Sequence, residues 1–159
     1  MNATEKACIA WSKKVGVVCE PEDPNAIHFW RAQCLKFDEE LEELNIELKK
    51  GGKDGILNEL GDCIFVINNL LYIAGLKSVD EAYDDGNSSI LHARREAIRF
   101  SKPTVFIGRY YRDLCKIATR IAIEDGIVVN ERAVLAKTLA KNEARTGHTI
   151  HGNYIKDKK

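Results

Sequence analysis

The chain has 159 residues, enough for one domain with a buried core. Lys plus Arg and Asp plus Glu both total 24, so the net charge is zero and no global field draws the chain onto nucleic acid or an anionic membrane. Hydrophobic residues at 45% and charged residues at 30% exclude a disordered composition and favour a globular one. The longest apolar stretch, residues 63–71, is interrupted by Asn68 and Asn69, so no membrane span is expected. Residues 1–6 lack a basic start leading into an apolar signal core, so the expected location is the cytoplasm. Five cysteines, at 8, 19, 34, 63 and 115, include no CxxC pair, which predicts neither a disulfide framework nor a zinc knuckle.

In chain order, Thr4 is expected to cap an amphipathic helix that runs to Val15, with Ile9 and Trp11 available to a core. Residues 19–25, with Pro21 and Pro24, read as a turn. From there to Lys50 nothing breaks a helix. Gly51 and Gly52 stop it, with Lys49 and Lys50 in the last turn, where cations suit the helix dipole. Phe37, Leu41, Leu44 and Leu48 make one apolar stripe along it.

A second helix is expected from about Gly55 to Ala74, ended by Gly75. Leu60, Ile64, Ile67 and Leu71 repeat the stripe, and Cys63, Phe65, Val66, Leu70 and Ile73 fill the other faces. A helix apolar almost all round is buried on more than one side, at the centre of a bundle or against a second subunit. The short Gly-containing loop makes the two helices antiparallel neighbours. Residues 84–87 read as a loop. Further helices are expected at about 89–100, 104–124 and 130–145, with Thr104 and Asn130 as N-caps, Pro103 at a boundary, and Gly126 and Gly147 as stops. Ile107, Tyr110, Leu114, Ile117 and Ile121 form another apolar stripe. The tail from His148 reads as polar, and no alternating strand pattern of useful length occurs. The expectation is one all-α domain over 1–159: a helical bundle built on an antiparallel helix pair, with an additional helical segment at about 76–130.

The chemistry concentrates on that pair. At 100° per residue Gln33, Lys36, Glu40, Glu43 and Glu47 share one flank of the first long helix. Glu59 and Asp62 are one turn apart on the second, and Asp62 sits in an apolar surround where a carboxylate is costly unless paired or bound to a cation. Two antiparallel helices that each offer two carboxylates enclose a small oxygen-rich volume, which suits Mg²⁺ or Mn²⁺ and a substrate phosphate. The competing reading is a solvated acidic face, strongest for Glu42 and Glu47. His28, Trp30 and Gln33 precede the acidic run and Asn69 lies two turns beyond Asp62. Trp30 is a candidate to stack a base and Asn69 to read its edge, against plainer roles in the core and between helices.

Glu39-Glu40-Leu41-Glu42-Glu43, then Glu59-Leu60-Gly61-Asp62 after a short loop, resembles the EExxE…ExxD pattern of the MazG-like all-α nucleoside triphosphate pyrophosphohydrolases, which are related to dimeric dUTPases and dCTP pyrophosphatases. Lys141-Asn142-Glu143-Ala144-Arg145 is similar to the Lys-Asn-x-x-Arg end of that family's last helix. The likeness covers about residues 25–75 and 131–147, while 76–130 exceeds the family core. It implies Mg²⁺ (or Mn²⁺) held by Glu40, Glu43, Glu59 and Asp62, and a water oriented or deprotonated by Glu39, with Glu40 and Glu43 also eligible. It further implies substrate phosphates met by Lys141, Asn142 and Arg145, and hydrolysis of a (d)NTP to (d)NMP and pyrophosphate, serving to clean the nucleotide pool. A homodimer or homotetramer is expected.

Other classes are weaker. A di-iron bundle needs Glu-x-x-His, and none of His28, His92, His148 or His151 has Glu three residues before it. No EF-hand register fits residues 80–92, and Gly51-Gly52-Lys53 lacks P-loop spacing. Arg109, Arg112, Lys116 and Arg120 line one helix face and would serve nucleic acid, but a solvated face suits the zero net charge better. A non-catalytic helical adaptor is the remaining alternative.

Overall fold

The computed structural model describes residues 2–75, 131–145, 147–150 and 153–157. The helices expected at 89–100 and 104–124, the Asn130 cap and the Arg109/Arg112/Lys116/Arg120 face all lie outside the described residues. Within them the protein is all-α apart from one small hairpin. Four helices, α1 (Ala3–Val15), α2 (Ala26–Lys50), α3 (Lys53–Ile73) and α4 (Glu131–Glu143), precede strands β1 (Gly147–Ile150) and β2 (Asn153–Lys156).

Local chemistry sets the ends. The cap of α1 is Asn2, two residues before the expected Thr4, and its side chain accepts a hydrogen bond from the Glu5 backbone N–H at 2.9 Å. Helix α2 stops at Gly51, whose φ of 80° only glycine adopts freely and whose N–H donates to the Glu47 carbonyl. After Gly52 the chain enters α3 at once, two residues earlier than Gly55, because neither Lys53 nor Asp54 opposes helix and Asp54 suits its positive end.

Helix α3 is the centre of the bundle, packed against α1, α2 and α4. Leu60 and Cys63 have no exposed surface, and Ile64, Phe65, Val66, Ile67, Leu70 and Leu71 are buried with them. Its all-round apolarity is therefore met within one chain. By length and composition α3 could cross a membrane, with mean hydropathy of 1.3 over its most apolar 18 residues, so Asn68 and Asn69 do not exclude a span on that ground. In the fold 72% of that window is buried. Both asparagines are paired there, since Asn68 Nδ2 donates to the Glu5 carbonyl and Asn69 bridges two helices. The α2 stripe buries Phe37 and Leu44, but its last member, Leu48, is exposed.

The tail departs from the expectation. Gly147 is no helix stop: α4 ends at Glu143, and residues from Gly147 form an antiparallel hairpin pairing Gly147 with Lys156 and Thr149 with Tyr154. Four-residue strands carry too little alternation to read from sequence. A Cβ at Gly147 would collide with the Ile155 carbonyl and the Tyr154 ring, so the hairpin needs glycine there. The four described cysteines, Cys8, Cys19, Cys34 and Cys63, are free thiols.

Candidate metal and phosphate site

Helices α2 and α3 present their carboxylates to a cleft of about 190 Å³ that α4 and the hairpin close from the other side. Its lining includes Glu40 and Glu43 from α2, Glu59 and Asp62 from α3, Lys141 and Asn142 from α4, and Arg145 just beyond the end of α4. Gly61 lets α4 approach: a Cβ there would collide with Thr138 Oγ1 and lie 3.2 Å from Val134 Cγ1. The same contact carries Lys141, one turn beyond Thr138, over Asp62.

Carboxylate oxygens of Glu40, Glu43 and Glu59 all lie within 4.8 Å of one another. Three acidic groups this close repel, and the electrostatics record it. Burial, then the neighbouring Asp62, pushes the Glu40 carboxyl up to about 7 against the pull of Lys36. Burial and the facing Glu59 raise Glu43 as well. Glu40 Oε1 is met by Lys36 Nζ at 3.1 Å, but Glu40 Oε2 and Glu59 Oε2 are buried with no partner. An unpartnered buried carboxylate oxygen is costly, and a cation bound in the cluster would offset that cost. The donor set is all oxygen, which fits Mg²⁺ or Mn²⁺.

Asp62 lines the same cleft, yet its Oδ1 accepts from Lys141 Nζ at 2.6 Å, and Lys141 also donates to Asn58 Oδ1 at 3.0 Å. Arg145 donates to Asn142 Oδ1 at 3.3 Å, so the Lys-Asn-x-x-Arg residues stand together at the rim. Lys36, on the same flank of α2 as Glu40, joins them as a further cation lining the cleft. Glu40 and its neighbouring acids hold Lys36 above its ordinary value, although burial pulls the other way.

Two expected site residues fall elsewhere. The Glu39 side chain is 68% exposed, pairs with Lys36 at 3.7 Å and does not line the cleft. One residue on from Glu39, Glu40 takes the inward position, as a 100° step requires. Trp30 does not reach the cleft, because it is wholly buried in the apolar core. Asn69 borders the cleft, but its amide is committed, with Oδ1 accepting from Ser12 Oγ at 2.7 Å and Nδ2 donating to Gln33 Oε1 at 3.0 Å. The aromatic lining comes instead from Trp11, Phe65 and Tyr154. Trp11 meets the other two edge to face, with ring centroids 5.6 and 5.2 Å away.

No family model matches the chain, and neither does any curated protein or solved structure.

Proposed function

We propose that the protein is a Mg²⁺-dependent nucleoside triphosphate pyrophosphohydrolase, (d)NTP and water giving (d)NMP and pyrophosphate, of the MazG-like kind that its acidic motif resembles. One observation carries the reading: Glu40, Glu43 and Glu59 converge, and two of their buried oxygens lack any partner. A solvated acidic face would leave its oxygens to water, not bury them in a cleft faced by Lys141 and Arg145.

Glu40, Glu43, Glu59 and Asp62 would hold the cation. When bound, it supplies Lewis acidity toward the triphosphate and lowers the pKa of water at the site. Glu39 points away, so the proton of the attacking water goes to Glu43, the most exposed carboxylate of the cluster and one that lines the cleft. Water oxygen bonds to the α-phosphorus while the bond from that phosphorus to the bridging oxygen breaks, and pyrophosphate leaves with the electron pair. Lys141 and Arg145 neutralise the charge that gathers on the departing oxygens, and Asn142 hydrogen-bonds beside them. Lys141 exchanges its resting partner Asp62 for phosphate as substrate enters. Assembly as a homodimer or homotetramer and a place in cytoplasmic nucleotide house-cleaning belong to the same proposal.

The test is turnover of a panel of NTPs and dNTPs with Mg²⁺, resolving the products. Asp62→Asn keeps the shape and removes the charge, and should lower kcat by at least about 10²-fold. Glu42→Gln, at an exposed position of α2 that does not line the cleft, should leave the rate unchanged. Equal behaviour of the two variants would refute the site.

A further inference from the structure

The cleft has a second end that the phosphate chemistry does not use. Trp11 from α1, Phe65 from α3 and Tyr154 from β2 pack edge to face there, and Gln33 and Asn69 lie beside them in the lining. Gln33 and Glu40 are seven residues apart on α2, as are Asn69 and Asp62 on α3. The amide end therefore lies about 10 Å along both helix axes from the carboxylates. A pentose bridges a span of that order between the edge of a base and its 5′-phosphates.

The amides are ordered by a relay. The Ser12 hydroxyl donates to Asn69 Oδ1, and Asn69 Nδ2 donates to Gln33 Oε1. Ser12, Asn69 and Gln33 are 0%, 2% and 4% exposed, so the relay is locked inside the bundle. Gln33 lines the cleft with its oxygen already taken, so the group it can offer a ligand there is its Nε2 donor. A buried donor of that kind discriminates strongly, since a ligand without an acceptor opposite it leaves the donor unpaired.

We propose that Trp11, Gln33 and Tyr154 form a nucleobase subsite that selects a base presenting a carbonyl oxygen over one presenting an exocyclic amine. This rests on the triphosphate reading for the identity of the ligand, but its geometry is independent of the carboxylates. Trp11 and Tyr154 supply the ring faces, Gln33 donates to the carbonyl, and Asn69 with Ser12 are positioning residues that fix the Gln33 amide.

The test uses product nucleotides, so it needs no turnover. The chain has two tryptophans, and Trp30→Phe leaves Trp11 as the only emitter. UMP is compared with CMP, and IMP with AMP, by quenching of Trp11 fluorescence. The keto member of each pair should bind about tenfold more tightly. Gln33→Leu should bring that ratio to about one. Gln33→Glu, an acceptor, should bring it below one. The ratio measured with Gln33 in place stands as evidence without any Gln33 variant, so a misfolded Gln33→Leu protein does not decide the matter. Equal affinities in both pairs, an amine preference, or no quenching would overturn the subsite, even in a protein that hydrolyses triphosphates. Discrimination that depends on Gln33 in a protein that hydrolyses nothing would uphold the subsite and overturn the reaction.

Discussion

Lys141 Nζ lies 2.6 Å from Asp62 Oδ1, joining the last described helix to the central one across 79 positions of sequence. Both side chains are largely buried, at 25% and 17% exposure, so the pair fixes α4 against the acidic cleft as well as balancing charge. In the proposed reaction the same lysine would also meet a substrate phosphate, and so would serve two anions in turn.

Lys141→Met removes both services. Without metal, Asp62 loses its cation, and unfolding by urea should show a loss of about 1–3 kcal/mol. Saturating Mg²⁺ should return part of that stability, because the cation replaces the lysine charge. Turnover should stay depressed even then, by about 10²-fold or more, because the phosphate contact is not restored. A variant as stable and as active as the parent would remove Lys141 from both roles.

Gly61 sets the distance between α3 and α4, so Gly61→Ala should cost roughly 1–3 kcal/mol by overpacking against Thr138 and Val134. Adding Thr138→Ala removes the hydroxyl that the new methyl meets, and the double variant should recover part of the loss. A double-mutant cycle measures it: additive costs would show that the two positions do not touch.

The pH dependence follows from Glu40, whose carboxyl burial raises from the ordinary 4.5 to about 7. Between those values the folded state binds more protons than the unfolded chain, so metal-free stability falls with rising pH. The contribution is full below about pH 4.5 and is lost as pH passes about 7. A divalent cation favours the ionised carboxylate, and its binding releases the proton. Thermal melts from about pH 5 to about pH 8 should therefore show a stabilisation by Mg²⁺ that grows with pH. Glu40→Gln should flatten that growth; an unchanged slope in the variant would place the titration elsewhere.

How much of this was legible in the sequence depends on the range over which each contact is made. Gly51 and Gly52, the Phe37–Leu44 stripe and the apolar α3 are local patterns, and they predict the helix pair and the buried setting of Asp62. The convergence of Glu40, Glu43 and Glu59 follows from helical spacing once the hairpin is known. Glu39 against Glu40 is harder, because one residue turns a side chain by 100° and the inward face depends on packing. Trp30 and Trp11 have the same ring chemistry, and only the tertiary fold decides that the first fills the core and the second faces the cleft. Tyr154 arrives on a strand too short to carry a period. The Ser12–Asn69–Gln33 relay joins three helices, so no single segment announces it.

The most direct measurement of the central claim is turnover in H₂¹⁸O with Mg²⁺, followed by mass analysis of both products. Water activated in the Glu40–Glu43–Glu59–Asp62 cleft and attacking the α-phosphorus places the ¹⁸O in the nucleoside monophosphate and leaves the pyrophosphate unlabelled. Label in pyrophosphate would mean attack at the β-phosphorus. Release of orthophosphate, or no turnover of any triphosphate, would contradict the account outright.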